Sequence, residues 1–239
     1  MSENLENEKL DEETEQEAAA EQSESVSDGG ENAPAENADT SAVSKNILSD
    51  IVDIVESTLI TVFVIVMIFT YLLHPVNVVG HSMENTLFDS DRIFMTTIYT
   101  GISYGDIVII NNDAAYLLDE NNNVVKKDIT NSRLNECIIK RVIAEPGQTI
   151  SIDAATGDVS IDGTVLDEPY IKELTRGTGV FEYPLTVPEG YYFVMGDNRN
   201  NSSDSRDGDV GFIKKEQIYG KAVLRYSPLK DFKFLFFSK

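Results

Sequence analysis

Between Ser57 and Leu73 the chain carries no charge, reading STLITVFVIVMIFTYLL. Counted from Ile51, the apolar stretch exceeds twenty residues. At about 1.5 Å per helical residue it crosses a hydrocarbon core of about 30 Å. It is apolar on all faces, unlike the one-sided stripe of a helix packed on a soluble core. Ser49 and Asp50 read as its start, with Asp50, Asp53 and Glu56 favoured by the positive end of the helix dipole. Pro75 stops it. A cleaved secretory signal opens on a basic region and closes at a small-residue site. Here an acidic tail precedes the span and Tyr71-Leu72-Leu73-His74-Pro75 follows it, so the span reads as a retained anchor. This divides the chain into a tail over 1–46, an anchor helix over 47–74 and a domain over 75–239. Positive charge says little about orientation, because Lys45 stands on one side and Arg92 is already distant on the other.

The tail is Glu, Ala, Ser and Asn with almost no large apolar residue. Such a segment buries too little surface to offset its chain entropy, so disorder is expected. Residues 1–45 hold fourteen carboxylates against Lys9 and Lys45, which places about −12 of the net −22 there. The acidic balance argues against a nucleic-acid surface. Cys137 has no second cysteine to pair with and reads as a small buried hydrophobe.

Past Pro75 the texture becomes β. Short apolar runs at Val76–Val79, Ile107–Ile110, Cys137–Ala144, Thr149–Ile152, Val159–Val165, Tyr191–Met195 and Lys221–Tyr226 alternate with turn residues. Asp162-Gly163 is a hairpin signal. Residues 111–136 are Asn-rich and read as a long loop or excursion. Many short strands with almost no helical periodicity predict a mainly β domain behind a single N-terminal transmembrane helix.

Two residues offer chemistry. Ser82 sits in the turn Gly80-His81-Ser82-Met83-Glu84-Asn85-Thr86-Leu87, just beyond the anchor. Lys140 lies in CIIKRVIA, where period two puts Ile138 and Val142 on its own face. Burial lowers a lysine pKa, and a neutral amine can take a serine proton. Arg141 cannot do so, because guanidinium stays protonated. Histidine offers little: His74 stands at the membrane end, and His81 is too close in sequence to reach Ser82 without unusual geometry. No Cys/His cluster marks a metal site. Asn85 stands where a Ser-x-x-Lys motif needs lysine. A Ser-Lys dyad from distant segments remains.

The ordered motifs make the chain resemble the bacterial type I signal peptidases, membrane-anchored Ser-Lys serine proteases. The nucleophile box is Ser82-Met83-Glu84-Asn85-Thr86-Leu87, and a second box is Gly105-Asp106-Ile107-Val108. The base box runs from Lys140-Arg141 to Pro146-Gly147. The last runs from Gly196-Asp197-Asn198-Arg199 through Ser202 and Asp204 to Arg206, and Gly220-Lys221-Ala222 and Pro228 also fit. Departures from the family pattern are Asn85 for proline, which loosens a turn, and Ala144 and Gln148 for glycine and aspartate.

The resemblance implies a coiled antiparallel β catalytic domain on the outer face of the cytoplasmic membrane, with the tail in the cytoplasm. It implies Ser82 as nucleophile and Lys140 as general base. Ser202 orients the lysine, and Asp204 and Arg206 form a supporting ion pair. The oxyanion falls to backbone groups at Ser82 and Gly80, since Gly80 lacks the hydroxyl that some relatives carry there. The substrates are exported precursors with small residues before the cut, contacts are with membrane lipid and not nucleic acid, and no cofactor or metal is required. Three other readings share parts of the pattern. They are a binding module that keeps the fold without the reaction, a sister peptidase dedicated to one surface or pilus protein, and a self-cleaving repressor. The last needs a DNA-binding domain where the acidic tail and span stand.

Overall fold

The structure, a computed structural model, describes the backbone of residues 39–235 and the side chains of 47–235. The expected disordered tail lies outside the described residues up to residue 38. The chain divides into two units, Met1–Ile54 and Val55–Lys239. The described part of the first is the leading half of helix α1, Asp39–Met67; the second holds the rest of the helix and every strand.

Helix α1 starts ten residues before the expected Ser49–Asp50, inside the stretch assigned to the tail. Once a long apolar helix has formed, extending it costs little per residue. The stretch Ile47–Leu72 is long and apolar enough to cross a membrane. All of its large apolar side chains are exposed. A single π turn, Ile68–Leu72, ends the helix, two residues short of the expected limit at His74. There Phe69 packs on Phe94, which stacks on Tyr226 with ring centroids 4.3 Å apart.

The second unit is mainly β and antiparallel, as expected. Its strands are β1 Leu73–Asn77, β2 Arg92–Thr96, β3 Ile107–Asn111, β4 Ala114–Leu118, β5 Val124–Asp128, β6 Cys137–Ala144 and β7 Thr149–Ile152. They continue as β8 Val159–Ile161, β9 Thr164–Val165, β10 Leu185–Thr186, β11 Tyr191–Met195, β12 Ile213–Lys214, β13 Ile218–Ser227 and β14 Lys233–Phe234. The main sheet runs β1-β2-β13-β3-β6-β11-β12, with β14 on β13; β10-β7-β8-β9 form a smaller sheet. Pro75 sits within β1, which an edge strand tolerates because it needs no second ladder. Asp162 and Gly163 take φ 51° and 82° between β8 and β9, the conformation a two-residue hairpin turn needs.

The excursion over 111–136 is not a plain loop. It holds the β4–β5 hairpin, whose turn is tied by Asp119 Oδ1 accepting the N–H groups of Asn121 and Asn123. Its strands lack clean alternation, which hid them in the sequence. Three apolar clusters fill the domain. One, built on Met83, Leu87, Ile93, Ile107 and Ile109, lies under the serine turn. Another, containing Val108, Ile138, Val142 and Val194, lies around β6.

Candidate active site

The serine turn is short and tied down. Thr86 and Leu87 donate backbone N–H groups to the Met83 carbonyl at 3.0 and 2.8 Å, while the side chains of Met83 and Leu87 are buried in the core. Asn198 holds the turn from the other side. Its N–H donates to the Ser82 carbonyl at 3.0 Å, and its Nδ2 to the His81 carbonyl at 3.0 Å. Gly196 lets these segments close up, since a Cβ there would overlap both Ser202 Oγ and the Ser82 carbonyl.

Strand β6 delivers Lys140 from 58 residues away. Its Nζ lies 2.8 Å from Ser82 Oγ and 3.0 Å from the Ile139 carbonyl. The side chain is nearly closed off, at 4% exposure. Burial lowers its pKa to about 8, against the opposing pull of Asp204, Asp197 and Glu136. A share of the amine is therefore unprotonated near neutral pH and can accept the Ser82 hydroxyl proton.

Arg141, next in sequence, has a structural role that the sequence reading missed. It is fully buried, with Nε and Nη2 on the two Asp197 oxygens at 2.8 and 2.6 Å. Nη1 donates to the Gly105 carbonyl, and the guanidinium lies 4.0 Å from the Tyr170 ring centre. This fork fastens β6 to the loop after β11 and to the turn before β3. Asp204 and Arg206 meet as a two-pronged pair, and Asp204 Oδ2 also accepts the Gly196 N–H. Burial is the largest influence and would raise the Asp204 pKa, but the hydrogen bonds and charge of Arg206, the Gly196 N–H and the Lys140 charge together outweigh it and hold the carboxyl below its usual range.

Three expectations change. Ser202 Oγ is buried without a hydrogen-bond partner among the described residues, so the expected bond to Lys140 is absent; the amine spends its contacts on Ser82 and Ile139. Gly80 N–H donates to Asp89 Oδ1 at 2.8 Å and is not free to hold an oxyanion. The Ser82 N–H, by contrast, donates to no acceptor among the described residues. Asn85 does not loosen the turn. It sits at φ 95°, which proline cannot adopt, and its Nδ2 donates to the carbonyls of Tyr170 and Ile171 at 3.1 Å each.

The segment around residue 170 joins in elsewhere too. Glu168 pairs with buried Arg199, and Lys172 Nζ reaches Glu84 Oε2 at 2.7 Å. Nothing in the sequence marked Glu168 or Lys172, an acidic and a basic residue in irregular chain. Beside the dyad runs a cleft of about 530 Å³, walled by Val76, Val78, Ile138 and Ile139. Cys137 also lines it and is exposed rather than buried, because it opens β6 where β11 has not yet joined. Among the described residues no His, Cys, Asp or Glu group converges as a metal site.

The family model for signal peptidases of the peptidase S26 family matches residues 51–227, about three quarters of the chain. The chain belongs to this family. It is therefore a serine endopeptidase. Signal peptidase I P of Bacillus subtilis subsp. natto is 35% identical over 192 residues, covering 76% of this chain and 91% of that protein. Signal peptidase I T of Bacillus subtilis strain 168 is 32% identical, covering 82% of this chain and 95% of that protein. A solved signal peptidase I from Enterococcus faecalis V583 is 28% identical, covering 52% of this chain and 98% of that one, with a TM-score of 0.38.

Proposed function

We propose that this peptidase removes N-terminal signal peptides from exported precursor proteins at the outer face of the cytoplasmic membrane. The observation that carries the mechanism is the 2.8 Å contact between Ser82 Oγ and the buried Lys140 amine. Neutral Lys140 takes the hydroxyl proton as Ser82 attacks the scissile carbonyl. The Ser82 N–H faces the oxyanion, a donor of the kind worth several kcal/mol at the transition state. Lys140 then protonates the departing amine, leaving an acyl-enzyme on Ser82. Water attacks that ester and gives a proton to Lys140, which returns it to the departing Ser82 Oγ as the signal peptide is freed.

The free edge at Cys137–Ile139 and the opposing run Val76–Val79 accept the residues before the cut as an added strand, with small side chains facing inward. Asp204 and Arg206 hold the loop that carries Ser202 against the dyad, a supporting role. The anchor over Ile47–Leu72 keeps the cleft near the bilayer, with the acidic tail on the cytoplasmic side.

The test is cleavage of a precursor with an Ala-x-Ala site by detergent-solubilised full-length protein. Parent cleavage is expected, with Ser82→Ala and Lys140→Ala each at background. A folded, lipid-supplied parent that leaves the precursor uncut points instead to a binding module or a dedicated peptidase. Lys140→Ala with full activity removes the lysine from the base role. Digestion of the catalytic domain by external protease in intact spheroplasts checks its side of the membrane.

A further inference from the structure

The cleft holds a charge that the reaction does not use. Of its described lining residues, His81, Lys140 and Glu136 are the acidic and basic ones. His81 Nδ1 lies 2.6 Å from Glu84 Oε1, and Lys140 faces Ser82. Glu136 is the one carboxylate on the cleft wall. Its backbone is fixed, with its N–H donating to the Leu134 carbonyl and its carbonyl accepting the Asn112 N–H. Its side chain is exposed and has no hydrogen-bond or ion-pair partner among the described residues.

The position follows from the strand. Glu136 immediately precedes β6, four residues before Lys140. In that stretch β6 is paired with β3 alone, so its other edge is open to a substrate strand. Four extended residues span about 13 Å. A substrate lying along this edge with its scissile carbonyl at Ser82 therefore brings a residue about four before the cut beside Glu136. The neighbouring walls, Val76, Val78, Leu134 and Ile138, are apolar, so a cation entering here meets Glu136 as its one anionic partner in the lining. The Glu136 charge is felt as far as the Lys140 amine.

We propose that Glu136 is a specificity-determining residue, favouring precursors with a lysine or arginine at about the fourth to sixth position before the cut and disfavouring those with a carboxylate there. The inference rests on the signal-peptide reading above, which orients the substrate in the cleft. Because Glu136 is exposed, the effect is that of a solvent-screened pair, a factor of about two to five in kcat/KM.

The experiment uses full-length protein in detergent and phospholipid, with an Ala-x-Ala precursor varied to Lys, Gln or Glu at the fourth, fifth and sixth positions before the cut. The parent is expected to cut the best-placed Lys form about two- to fivefold faster than the matching Glu form, less so in high salt. Glu136→Gln is expected to erase the preference, and Glu136→Lys to reverse it. A reversal cannot come from damaged folding. Equal cleavage of Lys and Glu forms at all three positions overturns the proposal, as does a preference that survives Glu136→Gln. A parent that cuts none of the precursors fails at the earlier step and overturns the signal-peptide reading on which this proposal rests.

Discussion

Lys140 illustrates how one side chain is made reactive by what surrounds it. An exposed lysine stays protonated at pH 7, whereas this one titrates near 8 because its charged form lacks water. In the proposed mechanism the active form is the neutral amine, so activity is expected to fall as pH drops below that value. For the parent enzyme, kcat/KM on an Ala-x-Ala precursor should rise with a single acid limb near pH 8 and approach a plateau about one to two pH units higher. An acid limb well below that value would instead remove Lys140 from the base role. Ser202 and Gly80 show how far a residue's role depends on its contacts. Both fall where the family motifs place them, yet one hydroxyl lacks a partner and one N–H is already committed to Asp89.

At the scale of elements, the site is a junction of three irregular segments braced on β6. The serine turn, the stretch around Tyr170 and the loop after β11 are joined by Asn85, Glu84, Asn198 and the Arg141–Asp197 fork. Asn85 is the sharpest case, because the family pattern has proline there while this chain has φ 95°. Asn85→Pro therefore moves toward the family pattern but against this backbone. It removes two hydrogen bonds worth about 1 kcal/mol each and forces φ toward −65°. The expected outcome is a Tm lowered by several degrees and reduced cleavage, read by thermal melting and precursor assay. Asn85→Gly keeps the backbone conformation and should lose less. A stabilised Asn85→Pro would show that the turn readily adopts a second conformation.

At the scale of the whole molecule, the buried lysine bears on global stability. The folded Lys140 pKa is depressed below its unfolded value of about 10.5. Below pH 8 the folded state must carry a buried ammonium. Between about 8 and 10.5 it binds fewer protons than the unfolded chain, so stability rises with pH in that window. Lys140→Met removes the charge while keeping volume. It is expected to abolish cleavage yet raise Tm at pH 7, with the gain shrinking as pH climbs from 8 toward 10.5. Unchanged or lower stability at pH 7 would mean that the amine's contacts with Ser82 and Ile139 offset its burial.

The apolar helix, the β class and most strand positions were legible in the chain because each rests on local information, and so were the boxes that single out Ser82 and Lys140. An uncharged run of helical length needs lipid whatever the rest folds into, alternation at period two shows within a few residues, and the ordered boxes can be read as they stand. What only the tertiary structure decided depends on which distant groups meet and on how much water remains between them. Packing alone brings Lys140 within 2.8 Å of Ser82 and lowers its pKa, buries Arg141 on Asp197 and pairs Glu168 with Arg199. It turns the polar excursion into a hairpin, commits the Gly80 N–H to Asp89 and leaves Cys137 exposed on a free edge. None of these has a local signature, because hydrogen-bond partners and burial are properties of the assembled fold.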